Sequence, residues 1–215
     1  MENEKRLPAR DAADHLLLGA ADRESGIAWV EQKTGVKAVI GGSHPGIGTC
    51  NALLSLGGRQ YLEIIAPDPA QSQLVERYAF LKTLTTPRLF SWAAAMSDGP
   101  AAAERFRAAG FEIFGPSPGS RNRPDGKQMK WKSLGVKSDL GNLIPFFIEW
   151  DAGLTHPAAD SPPGCRLRSI EFTHPRPEAV RETLRRLGIE AKINRGADDR
   201  LKAVLDSPRG KVVLS

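Results

Sequence analysis

Three stretches of this chain run through one order: a short apolar strand, a helix closed by glycine, then more strands. The first starts at DHLLLGA, turns helical near Asp22 and stops at Gly35. The second starts at RLFSWAAAM, and its helix runs from Asp98-Gly-Pro to Gly110. The third starts at RLRSIEF; Pro175 and Pro177 lead its helix and Gly188 closes it. Each closing glycine precedes an apolar and then a charged residue: Val36-Lys37, Phe111-Glu112 and Ile189-Glu190. Glycine suits the left-handed position after a helix, and the next apolar residue packs back on the last turn. Helical stripes agree, with Ala102, Phe106 and Ala109 on one face and Val180, Leu184 and Leu187 on another. VKAVI, NALLSL and YLEII follow the first helix, and EAKIN, LKAVLDS and KVVLS the third, with Gly57-Gly58 and Pro208-Arg209-Gly210 as turns. Such a repeat predicts an α+β fold of tandem βαβββ modules.

The boundaries follow. Residues 1–13 read as a flexible tail, 14–69 as the first module, 70–87 as a connecting helix and 88–152 as the second module. A Pro/Ala/Gly-rich linker covers 153–165, and 166–215 form a third βαβββ-like unit. That unit would cap an open sheet edge or make a homodimer contact. A chain of 215 residues can build a substantial core. No apolar run reaches the roughly 18 residues of a membrane span, and the charged start lacks a signal-peptide core. Two cysteines, Cys50 and Cys165, form no CxxC pair, which fits a reducing cytoplasm.

The net charge of +5 is modest, and the basic residues are mostly dispersed among acids, the exception being residues 119–137 around Trp131. This segment reads as a solvated hairpin or, more sharply, as an electropositive lip for an anionic small molecule. No nucleic-acid-binding motif accompanies it. GIGTCN lacks the third glycine and the following helix of a dinucleotide loop. His44 sits in GGSHPGIGT as a turn residue, or reaches inward as a fourth ligand or proton shuttle. His156 and His174 each precede a proline and read as surface residues.

Paired βαβββ units with a His on the first strand and a Glu on the last resemble the vicinal oxygen chelate superfamily. DHLLLG, HPGIGTCNALLSLGGRQYLEIIAPDP and FFIEWD resemble its glyoxalase-like branch. The resemblance implies a cupped sheet closed by two modules. It also implies metal ligands on first and last strands, here His15, Glu63 and Glu149, with Trp92 near the position of a fourth. Strand alternation agrees: each of these three stands opposite an apolar face. One imidazole and two carboxylates suit zinc, iron(II), manganese, nickel or cobalt. Such an ion would stabilise an enolate while Glu149 or Glu63 moves the proton. Tyr61, Trp92, Phe147, His44 and Trp131 would line the substrate pocket. The expected function is a metal-dependent lyase or isomerase acting on a small oxygenated, anionic substrate. The alternatives are a metal-free binding or resistance-type protein and, more weakly, an extradiol-type dioxygenase. Glu63 and Glu149 also have a structural alternative, pairing with Arg59 or Arg166.

Overall fold

The computed structural model describes residues 6–215. The first module comprises β2 (Ala13–Gly19), α2 (Arg23–Thr34), β3 (Val39–His44), β4 (Thr49–Ser55) and β5 (Tyr61–Pro67), after a short β1 (Leu7–Pro8) and α1 (Ala9–Ala12). The second comprises β6 (Arg88–Ala95), α3 (Gly99–Ala108), β7 (Ile113–Asn122), β8 (Gln128–Val136) and β9 (Phe146–Trp150). The third comprises β10 (Arg166–His174), α4 (Pro177–Arg186), β11 (Ile189–Glu190), β12 (Ile193–Arg195), β13 (Arg200–Ser207) and β14 (Gly210–Leu214). Local signals set the helix ends. Asp22 accepts from the Ser25 N–H at 2.8 Å and Asp98 from Ala101 at 2.9 Å, as N-caps do. Gly35, Gly110 and Gly188 take φ of 78°, 82° and 84° beyond the helices.

The first two modules close one barrel, in the order β2-β5-β4-β3-β7-β8-β9-β6. β2 pairs parallel with β5, setting Leu17 beside Glu63, and antiparallel with β6, setting His15 opposite Ala93 and Leu17 opposite Ser91. Period-two alternation then sorts side chains into lumen and wall. Leu16, Leu18, Leu62 and Ile64 turn outward into the main core with Ile27 and Val30 of α2. Each such burial contributes roughly 1.5–3 kcal/mol. Trp92 also points outward; it is fully buried against Phe172 of the third unit, ring centroids 5.8 Å apart, and donates Nε1–H to the Leu143 carbonyl at 2.9 Å. The third unit is a separate sheet, β12-β10-β13-β14.

Three boundary expectations change. Residues 7–12 are ordered as β1, paired in parallel with β11, and α1, and Ala13 opens β2; residues 1–5 of the expected tail lie outside the described residues. The connecting helix is confined to Glu76–Thr83 and takes the 3-10 form. Leu81 lies over Gly19, where a Cβ would come within 2.7 Å of it. The linker folds back as a strap: Ala158 packs with Leu53 and Tyr61, and the Pro162 carbonyl accepts from Ser55 N–H at 3.1 Å. Its prolines and glycines serve turns instead of a spacer. Among the described residues no helix is long and apolar enough to cross a membrane.

Candidate functional site

The barrel lumen carries a buried chain of acids and imidazoles. His15, on β2, donates Nδ1–H to Asp14 Oδ1 at 2.7 Å. The β2 register against β6 shifts between Ala13 and His15, a bulge that lets consecutive residues serve one site. Asp14 also accepts from His156 Nε2 at 3.0 Å and from Trp150 Nε1 at 3.2 Å. Beyond His15, Glu63 of β5 stands with Oε2 3.6 Å from His15 Nε2 and Oε1 3.6 Å from His44 Nε2. His44 is fixed by Thr49, whose Oγ1 lies 2.9 Å from Nδ1. Asn51 of β4 donates to Glu63 Oε1 at 2.6 Å and accepts from Arg121 of β7 at 3.4 Å. Aromatic rings wall the chain. Tyr61 stacks on His15 at 4.6 Å, and Trp131 meets His44 at 6.1 Å and Trp150 at 5.3 Å.

Electrostatics fix the charges. Burial pushes the Glu63 carboxyl up, but His44, His15, Asn51 and Arg121 together hold it below its ordinary value. The Asp14 carboxyl, opposed by burial and favoured by His15 and His156, falls from its ordinary 3.8 to about 2. Burial pushes the His44 imidazole down against the pull of Glu63. Near neutral pH the lumen therefore presents two carboxylates and a neutral His44.

Of the sequence-predicted residues, the structure brings together His15, Glu63, His44, Tyr61 and Trp131. Glu149 lies elsewhere. On β9 the lumen receives Phe146, whose ring meets His15 at 5.7 Å, and Trp150; Phe147 and Glu149 face out. Phe147 packs on Phe106, centroids 4.7 Å apart, so it lines no lumen pocket. Glu149 accepts the Gly99 N–H at 3.1 Å at the start of α3 and stands 3.7 Å from Lys132 Nζ. Trp92 is likewise removed from the pocket by its outward face. Alternation was legible, but which face is the lumen was not, since it depends on where α3 and the third unit pack, against Phe147 and Trp92. His156 and His174 are both buried, contrary to their surface reading. Asp14, Asn51, Arg121 and His156 were missed. Asn51 shares a face with Leu53 in NALLSL and was open to discovery by the same parity; the Asp14 bulge leaves no sequence signal.

The expected metal set does not fit this arrangement. The second module turns Ser91, Ala93 and Ile148 into the lumen, and His15 and His44 approach different oxygens of Glu63. Among the described residues no three His, Cys, Asp or Glu side chains are grouped to hold one ion. A cleft of about 1460 Å³ lies between barrel and third unit, lined by Asp14, Gln60, Asp98, Glu149, Trp150 and Arg185 among others, and it meets the chain at Asp14.

Residues 13–188 match the family model described as the glyoxalase-like domain. The chain belongs to the glyoxalase-like domain family. The vicinal oxygen chelate resemblance and the α+β, tandem βαβββ expectation hold. This glyoxalase-like chain is also similar to a solved hypothetical protein from Staphylococcus aureus, with a TM-score of 0.69, 13% identity, and 87% of each chain covered. Methylmalonyl-CoA epimerase from Mycobacterium tuberculosis is more distant, with a TM-score of 0.47, 20% identity, and coverage of 69% of this chain and 91% of that one. These likenesses concern the fold. No curated protein sequence matches significantly.

Proposed function

We propose that this glyoxalase-like protein is a small-molecule isomerase or lyase that moves a proton at a carbon next to a carbonyl. One observation carries the reading: an ionised Glu63 lies buried between two imidazole Nε2 atoms, each 3.6 Å away, with the far nitrogen of each ring fixed by Asp14 or Thr49. Glu63 takes the proton from carbon, and the electron pair moves onto the carbonyl oxygen. Neutral His44, with Nδ1 accepting from the Thr49 hydroxyl, offers Nε2–H to that oxygen. Return of the proton from Glu63 to the same or a neighbouring carbon gives an epimer or isomer; expulsion of a leaving group gives the lyase outcome. Asp14 orients His15, whose two nitrogens each face a carboxylate. These protein groups carry the step alone, since the second module offers Ser91, Ala93 and Ile148 where the family's further ligands would stand.

Deuterium exchange tests this. Incubation of dihydroxyacetone, lactaldehyde and pyruvate in D2O, followed by proton NMR, should show exchange above buffer rates. Glu63→Gln should slow it at least about a hundredfold with the fold retained. Wild-type rates equal to buffer across the panel, or full activity in Glu63→Gln, would overturn the reading. Metal analysis of untagged protein, with exchange measured before and after EDTA, checks the metal-dependent form: stoichiometric metal lost in His15→Ala would restore it.

A second reading has its own support. Trp131 meets Trp150, and Trp150 and Tyr61 both meet the His156 ring, a run of rings that suits a protein that sequesters a flat compound. Tight binding with tryptophan quenching and no exchange would favour it.

A further inference from the structure

Arg121 is a buried cation with no carboxylate in ion-pair contact among the described residues. It lies on β7 opposite Met129, is 4% exposed, and takes part in none of the ion pairs among the described residues. Nη1 reaches only the Asn51 amide oxygen at 3.4 Å, Nη2 reaches the Met129 thioether at 2.9 Å, and the buried Nε has no partner. A long amide contact and a sulfur are poor acceptors for a guanidinium removed from water. Arg123, two residues on, shows the contrast: Asp160 stands 2.6 Å and Asp125 3.4 Å from it. The backbone also makes way for Arg121. A Cβ on Gly41 would lie 2.6 Å from Nη1 and 2.3 Å from the Asn51 oxygen.

We infer that Arg121 receives the carboxylate of a small organic acid, with Asn51 linking Arg121 to Glu63. The guanidinium fork matches a planar carboxylate through two parallel hydrogen bonds. Glu63 and Asp14 already put negative charge in the lumen, so a monoanion is tolerated where a phosphate dianion adds repulsion. Asn51 ties both ends together, with Nδ2 on Glu63 and Oδ1 on Arg121. An acid held there presents its adjacent carbon toward the base, which selects 2-hydroxy and 2-oxo acids. The inference rests on the lumen being the ligand site of the proposed function.

The test pairs sodium lactate with its neutral isostere lactamide. Lactate should raise the melting temperature of wild-type protein and quench tryptophan fluorescence, and lactamide should do neither. Arg121→Met should weaken lactate binding at least tenfold while melting no lower than wild type, because the apolar side chain removes an under-paired buried charge. Should that variant not fold, Arg121→Lys keeps the charge, loses the fork, and should still weaken lactate. Equal affinity for lactate and lactamide, no binding of either, or full lactate affinity in the folded variant would overturn the inference. Arg121-dependent lactate binding without any deuterium exchange would sink the catalytic reading alone. Exchange with lactate affinity indifferent to Arg121 would sink this inference alone.

Discussion

At Glu63 two effects oppose each other: burial favours the neutral acid, while His44, His15, Asn51 and Arg121 favour the anion and prevail. The consequence is acid sensitivity. A carboxyl lowered on folding stabilises the protein above its unfolded value, and that stability is lost as pH falls through the folded value. For Asp14, from 3.8 to about 2, the loss is roughly 2 kcal/mol. His44 acts earlier and in the same direction. Its unfolded imidazole binds a proton below about 6.5 while the buried ring resists, so the folded state weakens from there downward. Urea midpoints should fall between pH 7 and pH 5 in wild type, and His44→Gln should flatten that portion while leaving the drop near pH 3.

β9 decides the element scale. Its residues alternate cleanly, yet three aromatic and aliphatic side chains take the lumen and the lone acid goes to the start of α3. Glu149→Gln should therefore leave deuterium exchange and metal content unchanged, and lower stability by about 0.5 kcal/mol through the weakened helix start. Loss of activity in that variant would return Glu149 to the site. Gly41→Ala on β3 should disturb Asn51 and Arg121 and weaken lactate binding, with thermal unfolding as the control. The sequence made the three module helices legible to within a residue or two, because capping residues and closing glycines are local signals. It made half of the site legible as well, because His15 and Glu63 sit on strands whose other face is plainly leucine and isoleucine. The remainder depends on contacts distant in sequence: which side of β9 becomes lumen, and where the strap carries His156.

In the whole molecule the barrel and the third unit share one core, and Trp92 joins them. Trp92→Ala should cost about 3–5 kcal/mol, measurable by urea unfolding, without changing the ligand preference of the lumen. Eight strands closed on themselves leave no free barrel edge, so the third unit covers an outer wall and not an edge. The strap completes the enclosure over Tyr61 and Leu53: His156 binds Asp14, Pro162 binds Ser55, and Asp160 binds Arg123 at 2.6 Å. A molecule entering from that end has to break these contacts to pass. Stopped-flow association should then level off with rising concentration at the rate at which they break, and Asp160→Ala should lift the plateau.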